Sequence, residues 1–248
     1  MKAILTYHSI DDSGSPISVA EPIFRRQAAW LAAQGPRVVT VDQLLRLPDR
    51  EAAVAITFDD AFANFGDVAW PILREHGLPA TLYVPTAHVG HTNEWGGVSA
   101  RGIPTLPLLG WDRLARLAEE GLQLGSHTCT HPHLPRLSAA RVREELEQSA
   151  LQLEARLGNR PGGLAYPYGS CDAPVIAAAA ELYDHAVSVD LRALGPAEDR
   201  YRLPRLDMYY LRGSGLLEAW GTQRLKLYLS ARAGVRRCRS FLRPSSYA

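Results

Sequence analysis

Four side chains in this sequence have the types and spacing of a hydrolytic metal site. The stretch "AVAITFDD" ends in adjacent carboxylates, Asp59 and Asp60, and "LQLGSHTCTH" ends in His127 and His131, four residues apart. In a helical turn that spacing puts both imidazoles on one side. Two nitrogens and a carboxylate oxygen from another strand bind Zn²⁺ or a similar divalent ion and leave positions open for water. Adjacent acids then divide the work. With Asp60 on the ion, Asp59 points elsewhere and can take a proton from water acidified by the ion. The plainer alternative is that the histidines cap a turn and the acids cap the following helix. One acid is enough for a cap, and this chain has two. A third polar cluster, "GGLAYPYGS", carries Tyr166 and Tyr168 at a strand end.

These clusters lie far apart in the chain and need a scaffold that gathers them. Strand-like stretches "KAILTYH", "RVV", "AVAITF", "PATLYVP", "LQLGSH", "GGLAYP" and "HAVSV" alternate with helical stretches over 22–34, 41–47, 68–76, 111–120, 138–157 and 172–183. The clearest helix has Ser138 to cap its start, Gly158 its end, and Val142, Leu146, Leu153 and Leu157 on one face. The alternation predicts an α/β fold with a parallel sheet, either a barrel or an open doubly wound sheet. In such folds the carboxyl ends of the strands open onto one face, where active sites are built. The three clusters are therefore expected to converge. Residues 85–110 break the rhythm as a long Gly/Thr/Pro-rich segment, and loops of that length are functional or mobile.

The tail differs. "LLEAWGTQRLKLYLSARAGVRRCRSFLRP" starts helix-like at Leu216 and has no acidic residue after Glu218. We expect a catalytic domain over 1–215 and a basic helix and tail over 216–248. Arg224, Lys226, Arg232, Arg236, Arg237, Arg239 and Arg243 interleave with Leu225, Leu227, Tyr228, Leu229, Val235, Phe241 and Leu242. That pattern suits peripheral contact with an anionic membrane, or a final helix packed on the barrel.

Composition sets outer bounds. The 248 residues, 46% hydrophobic, suit one full α/β domain or two small ones. Lys+Arg 27 against Asp+Glu 26 leaves no global field for nucleic acid, so none is expected as a partner. Cys129, Cys171 and Cys238 are odd in number and scattered, which argues against a disulfide framework. No stretch approaches the roughly 18 apolar residues that span a bilayer. The first apolar run breaks at His8, too short for a signal-peptide core, so a cytoplasmic location is expected.

"TFDD", "SHTCTH" and "AYPYG", in that order, resemble the polysaccharide deacetylases of the NodB-homology group, also grouped as carbohydrate esterase family 4. The resemblance covers residues 5–206. It implies a distorted (β/α) barrel on those seven strands that removes acetyl groups from N-acetylated sugars with a divalent ion. By position, it makes Asp59 the catalytic base and Asp60, His127 and His131 the metal ligands. Tyr168 and Tyr166 line the groove, with the Tyr168 backbone N–H as a donor to the oxyanion. The implied cofactor is Zn²⁺ first, with Ni²⁺, Co²⁺, Mn²⁺ or Fe²⁺ as alternatives. The implied substrate is an N-acetylated saccharide or glycolipid.

Three departures stand out. Ala61 stands where many members have Gly. Many members also hold the catalytic Asp with an Arg from the third motif, whose place here is about Ala165. No His follows His185 to act as the late acid, and His185 opens its strand, where a structural role is expected. Yet an amine leaves poorly unless protonated, so an acid is needed. A branch with permuted order, resembling the poly-N-acetylglucosamine deacetylases, carries a Tyr-His pair on its first strand. "TYHSI" matches it, and His8 is the expected general acid. Arg205, in "YRLPRLD", is expected on the substrate side of the site, reaching Asp59 in place of the missing Arg. His88 and His91 are solvated loop histidines or substrate contacts, Cys129 is a small buried filler, and Trp95 and Trp111 stack on sugar or join the core. An O-deacetylase, a hydrolase of another C–N bond and a non-catalytic carbohydrate-binding barrel remain as alternatives.

Overall fold

The central strands AILTY, AVAITF and ATLYV are largely apolar and buried throughout, the pattern of a sheet covered on both faces. In the computed structural model, which describes residues 1–98 and 100–242 with side chains to Arg236, eight strands form one sheet. They are β1 (Ala3–Tyr7), β2 (Arg37–Val39), β3 (Ala53–Phe58), β4 (Ala80–Val84), β5 (Gln123–Ser126), β6 (Gly163–Ala165), β7 (His185–Val187) and β8 (Leu206–Asp207). Their order is β7-β6-β5-β4-β3-β1-β8, all parallel. β2 lies beside the first half of β3, on the edge that β4 takes further along. All seven expected strands are present, and the two-residue β8 adds an eighth.

The helices are α1 (Glu21–Ala33), α2 (Val41–Arg46), α3 (Trp70–Glu75), α4 (Trp111–Glu119), α5 (Ala139–Leu157), α6 (Ala173–Leu182) and α7 (Gln223–Leu242). Ser138 accepts from the Arg141 N–H at the start of α5, and Gly158 ends it with φ 78°. A π-helical turn at Phe65–Ala69 leads into α3, so helical structure begins ahead of the expected residue 68. α7 begins at Gln223 and not at Leu216. Gly221 takes φ 78°, and the Thr222 hydroxyl then accepts from the Leu225 N–H as a cap. Leu217, Leu225 and Leu229 are buried in the same core as β1, so this segment packs on the barrel. Side chains of Arg237, Arg239, Arg243, Phe241 and Leu242 lie outside the described residues.

Alternation along the strands gives the sheet its curl. Leu5, Tyr7, Val54, Ile56 and Phe58 face the helices and pack with Phe24, Phe65, Leu73 and Leu114. Ile4, Ala53, Ala55, Tyr83, Ala165, Val187 and Leu203 pack on one another inside a curled half-barrel. The interior is narrow: a Cβ on Gly125 would lie 2.5 Å from the Tyr83 ring. Between β7 and β8 the sheet is open, bridged by Val187–Leu203. Below the carboxyl end of β3, Phe58 lies 5.0 Å from Tyr7 and 4.8 Å from Phe65, ring centre to ring centre. Each such buried ring stabilises by about 1.5–3 kcal/mol. The inner-facing series then continue past the core: Ile4, Thr6, His8 on β1; Ala55, Thr57, Asp59 on β3; Gly125, His127 on β5; and Leu203, Arg205 at the seam.

Candidate active site

Asp59 and Arg205 meet where two of these series end. The guanidinium donates through Nη1 to Oδ1 (2.7 Å) and through Nη2 to Oδ2 (2.6 Å), and both side chains are buried. Arg205 is held in turn by the Ser188 carbonyl (Nε, 2.8 Å) and the Thr57 hydroxyl (Nη1, 3.3 Å). Burial pushes the Asp59 carboxyl up, but the charge and hydrogen bonds of Arg205 outweigh it and hold the group below the usual carboxylate range. Asp59 is therefore ionised and fixed in direction. Just past the end of the neighbouring strand β1, His8 Nε2 lies 3.8 Å from Asp59 Oδ2, and the ring is partly exposed.

Asp60 turns the other way. Its Oδ1 lies 3.4 Å from His127 Nε2 and 3.4 Å from His131 Nε2, with all three groups buried. That oxygen has no hydrogen-bond partner, a costly state for a buried carboxylate. Ligand atoms about 2.1 Å from a tetrahedral ion stand about 3.4 Å apart, which is the distance of Asp60 Oδ1 from each imidazole, and all three ligand atoms lie within 4.8 Å of one another. The residues fit a divalent ion. Among the described residues they are the group of His, Cys, Asp or Glu side chains able to hold one. His127 Nδ1 faces the Ala165 carbonyl at 2.7 Å and carries the proton there, which leaves Nε2 as the ligand atom. Burial lowers His131 to about 4, so its ring is neutral. Burial also lowers His127, but its close contact with Asp60 and the negative charges of Asp59 and Asp60 turn the balance upward. Asp60 is held far below the carboxylate range, burial being outweighed by the two imidazoles.

The helical turn expected between His127 and His131 is not formed. Thr128 (φ 66°) and His131 (φ 59°) are left-handed, and the tight turn they make brings the rings together, centroids 4.8 Å apart. Asp60 (φ 71°), Ala61 (φ 57°) and Tyr168 (φ 58°) are left-handed too, so five of the six such non-glycine residues described lie at this site. Each costs about 1–2 kcal/mol. Such strain persists where surrounding bonds over-determine it. Here the Thr128 hydroxyl accepts from the His131 N–H (3.1 Å).

Glu145 on α5 is a second fixing point, and the reading from sequence missed it. Buried, it accepts from the Cys129 N–H (3.0 Å), the Thr130 N–H (2.8 Å) and the Thr130 hydroxyl (2.7 Å). Its signal was an acid next to Leu146 on a buried helix face. Glu145→Gln should weaken ion affinity by about 10–100-fold, the usual effect of losing a group that orients the ligands. Titrating the apo-protein against a competing chelator checks this, and an unchanged affinity would confine Glu145 to holding the helix. The 85–110 segment is also anchored. Asn93 ties it together through Pro104 and Leu106, and Ala63 and Leu109 N–H groups bond across its base beside the acids. It lays Trp95 flat on His131, centroids 4.3 Å apart, with His88 against the other ring edge at 4.8 Å.

The family model described as Polysaccharide deacetylase matches residues 46–186, more than half of the chain. The chain belongs to the polysaccharide deacetylase family. It is similar to the poly-beta-1,6-N-acetyl-D-glucosamine N-deacetylase of Staphylococcus epidermidis, 26% identical over 203 residues that cover 76% of this chain and 67% of that protein. The Staphylococcus aureus enzyme of the same name is 27% identical over 207 residues, with the same coverage of 76% and 67%. Among solved structures, the Streptococcus pyogenes deacetylase PplD in complex with acetate shares the fold at TM-score 0.70 and 24% identity, covering 83% of this chain and 91% of that one. IcaB from Ammonifex degensii does so at TM-score 0.67 and 23% identity, covering 83% and 90%.

Against the deacetylase pattern, the departures now have physical accounts. Ala61 occupies a left-handed position, which explains why glycine suits it. The guanidinium absent near Ala165 is present as Arg205, which lies outside the matched stretch, as does His8. Two placements are corrected. Arg205 is 1% exposed and bonded to Asp59, so it orients that group and cannot contact substrate. Tyr166 is fully buried, its hydroxyl on the Tyr201 carbonyl, because it falls on the helix-facing side of its strand. Tyr168 does reach the site, edge-on to His131 and stacked on His133 at 3.9 Å. His185 is buried at the opposite end of the barrel, 3.3 Å from Asp42. Cys129 stays outside the ligand group, and Trp111 packs against the core under Arg156.

Proposed function

We propose that this deacetylase is a metal-dependent N-deacetylase that hydrolyses the acetamido group of an N-acetylated saccharide. The observation that carries the reading is an ionised, buried Asp59 between a three-ligand ion site and the imidazole of His8. The relatives named as poly-beta-1,6-N-acetyl-D-glucosamine N-deacetylases support an N-acetylated hexosamine as the sugar. A divalent ion held by Asp60, His127 and His131, Zn²⁺ being first choice for this donor set, supplies Lewis-acid polarisation of the amide carbonyl and acidifies the attacking water. Asp59 takes the proton of that water as its oxygen bonds to the carbonyl carbon. The Tyr168 backbone N–H is the donor assigned to the developing oxyanion. His8 then gives its Nε2 proton to the nitrogen as the C–N bond breaks, releasing free amine and acetate. Tyr168 and Trp95 bound the groove.

His8 fits amide hydrolysis because an amine leaves only when protonated, whereas a nitrophenolate departs without an acid. His8→Ala should lose about 10²–10⁴-fold in acetate release from an N-acetylated oligosaccharide while keeping its ion. On nitrophenyl acetate it should work almost as well as the parent. Equal losses on both substrates would make His8 a structural or ion-holding residue and remove the general-acid role.

A further inference from the structure

α7 has two apolar faces where a helix packed on a barrel needs one. Leu225 and Leu229 are buried in the core, and Tyr228 donates to the Tyr210 carbonyl (2.7 Å). On the outward side Leu227 is 64% exposed and Val235 49%, with Ala231 exposed between them. Residues 227, 231 and 235 are spaced four apart and so form one stripe along the helix. Leu227 and Val235 are two of the four large apolar side chains left exposed among the described residues.

Charge indicates what meets this stripe. Arg224, Lys226 and Arg232 are exposed beside it, and the chain after Glu218 contains seven Lys or Arg and no acid. An aliphatic stripe flanked by cations matches the layering of a lipid leaflet, acyl chains beneath anionic headgroups. No described helix is long and apolar enough to cross a membrane, so α7 can only lie along its surface. The helix is also close to the site. Tyr210 belongs to the turn Met208–Leu211 that leaves β8, and the Asp207 carboxylate just before it feels both His8 and Arg236.

We propose that the outer face of α7 docks the protein on an anionic lipid bilayer and holds the active site near the headgroups. The docking stands on the helix alone and does not depend on the catalytic assignment. The full chain is tested by co-sedimentation with vesicles of phosphatidylcholine containing phosphatidylglycerol, and of phosphatidylcholine alone. Binding should be at least about tenfold stronger to the anionic vesicles and should weaken as salt rises. The double variant Leu227→Asp/Val235→Asp should bind at least about tenfold more weakly with an unchanged urea midpoint, since neither side chain is in the core. Arg224→Glu/Lys226→Glu should lose the preference for anionic lipid. Absence of binding to anionic vesicles, or equal binding by parent and Asp variant, overturns the proposal. So does parent self-association in analytical ultracentrifugation that the Asp variant abolishes, which would assign the face to a second copy.

Discussion

Purified His127→Ala protein is expected to hold no divalent ion and to release no acetate above background. Two ligands with an open shell hold an ion weakly, and the lost imidazole also anchors the site to the Ala165 carbonyl. Unfolding gives a second readout that does not pass through catalysis. An ion that binds only the folded chain at about 100 times its Kd stabilises by about 2.7 kcal/mol. The parent should gain that on addition of Zn²⁺, and the variant should gain nothing. Metal analysis with thermal unfolding measures both. Undiminished ion content in the variant would rule out Asp60, His127 and His131 as the ligand set.

Arg205→Met should be strongly damaging to both folding and turnover. Methionine fills similar length but leaves the Asp59 carboxylate buried without a counter-charge, a loss of about 3–5 kcal/mol at neutral pH. The sign with pH follows from the pair. In the parent, Asp59 is held below its unfolded value, so it contributes stability above that value and loses it as pH falls through the folded one. In the variant burial acts with only the weaker pull of His127 and His8 against it, the folded value is expected to rise above the unfolded one, and the contribution disappears as pH rises. The gap between parent and variant in urea midpoint should therefore narrow below about pH 4. Turnover should respond in the same sense, because Asp59 must be ionised to take a proton, and the acid limb of the pH–rate profile should move up. Arg205→Lys, which keeps the charge and loses the two-point geometry, should fall between. A variant whose pH–rate profile matches the parent would sink the orienting role.

The sequence made the chemistry legible where residue type alone carries it. Acids and histidines rarely end apolar strands, so Asp59, Asp60, His127 and His131 could be picked out, and the strands themselves were bounded by turn residues. Direction was harder. Strands buried on both faces show no polar alternation, so nothing marked Tyr166 as helix-facing and Tyr168 as site-facing. Arg205 was legible as a partner for Asp59, but its complete burial was not, because the seam between β7 and β8 has no sequence marker. The left-handed turns at Thr128 and His131 were hidden for the same reason: neither is glycine. β8, two residues long, falls below any periodic signal.

Those left-handed residues also govern how the site can be probed. Scanning substitution assumes that a replacement removes a side chain and leaves the backbone indifferent. At Asp60, Thr128, His131 and Tyr168 that assumption fails, because the replacement must also accept a positive φ. β-branched residues resist it, whereas asparagine and glycine accept it readily. Asparagine is thus the informative exchange at Asp60, since it keeps the shape and the turn and removes only the charge. Randomised libraries at these four positions will be depleted of Val and Ile through folding alone, before any selection for activity is applied.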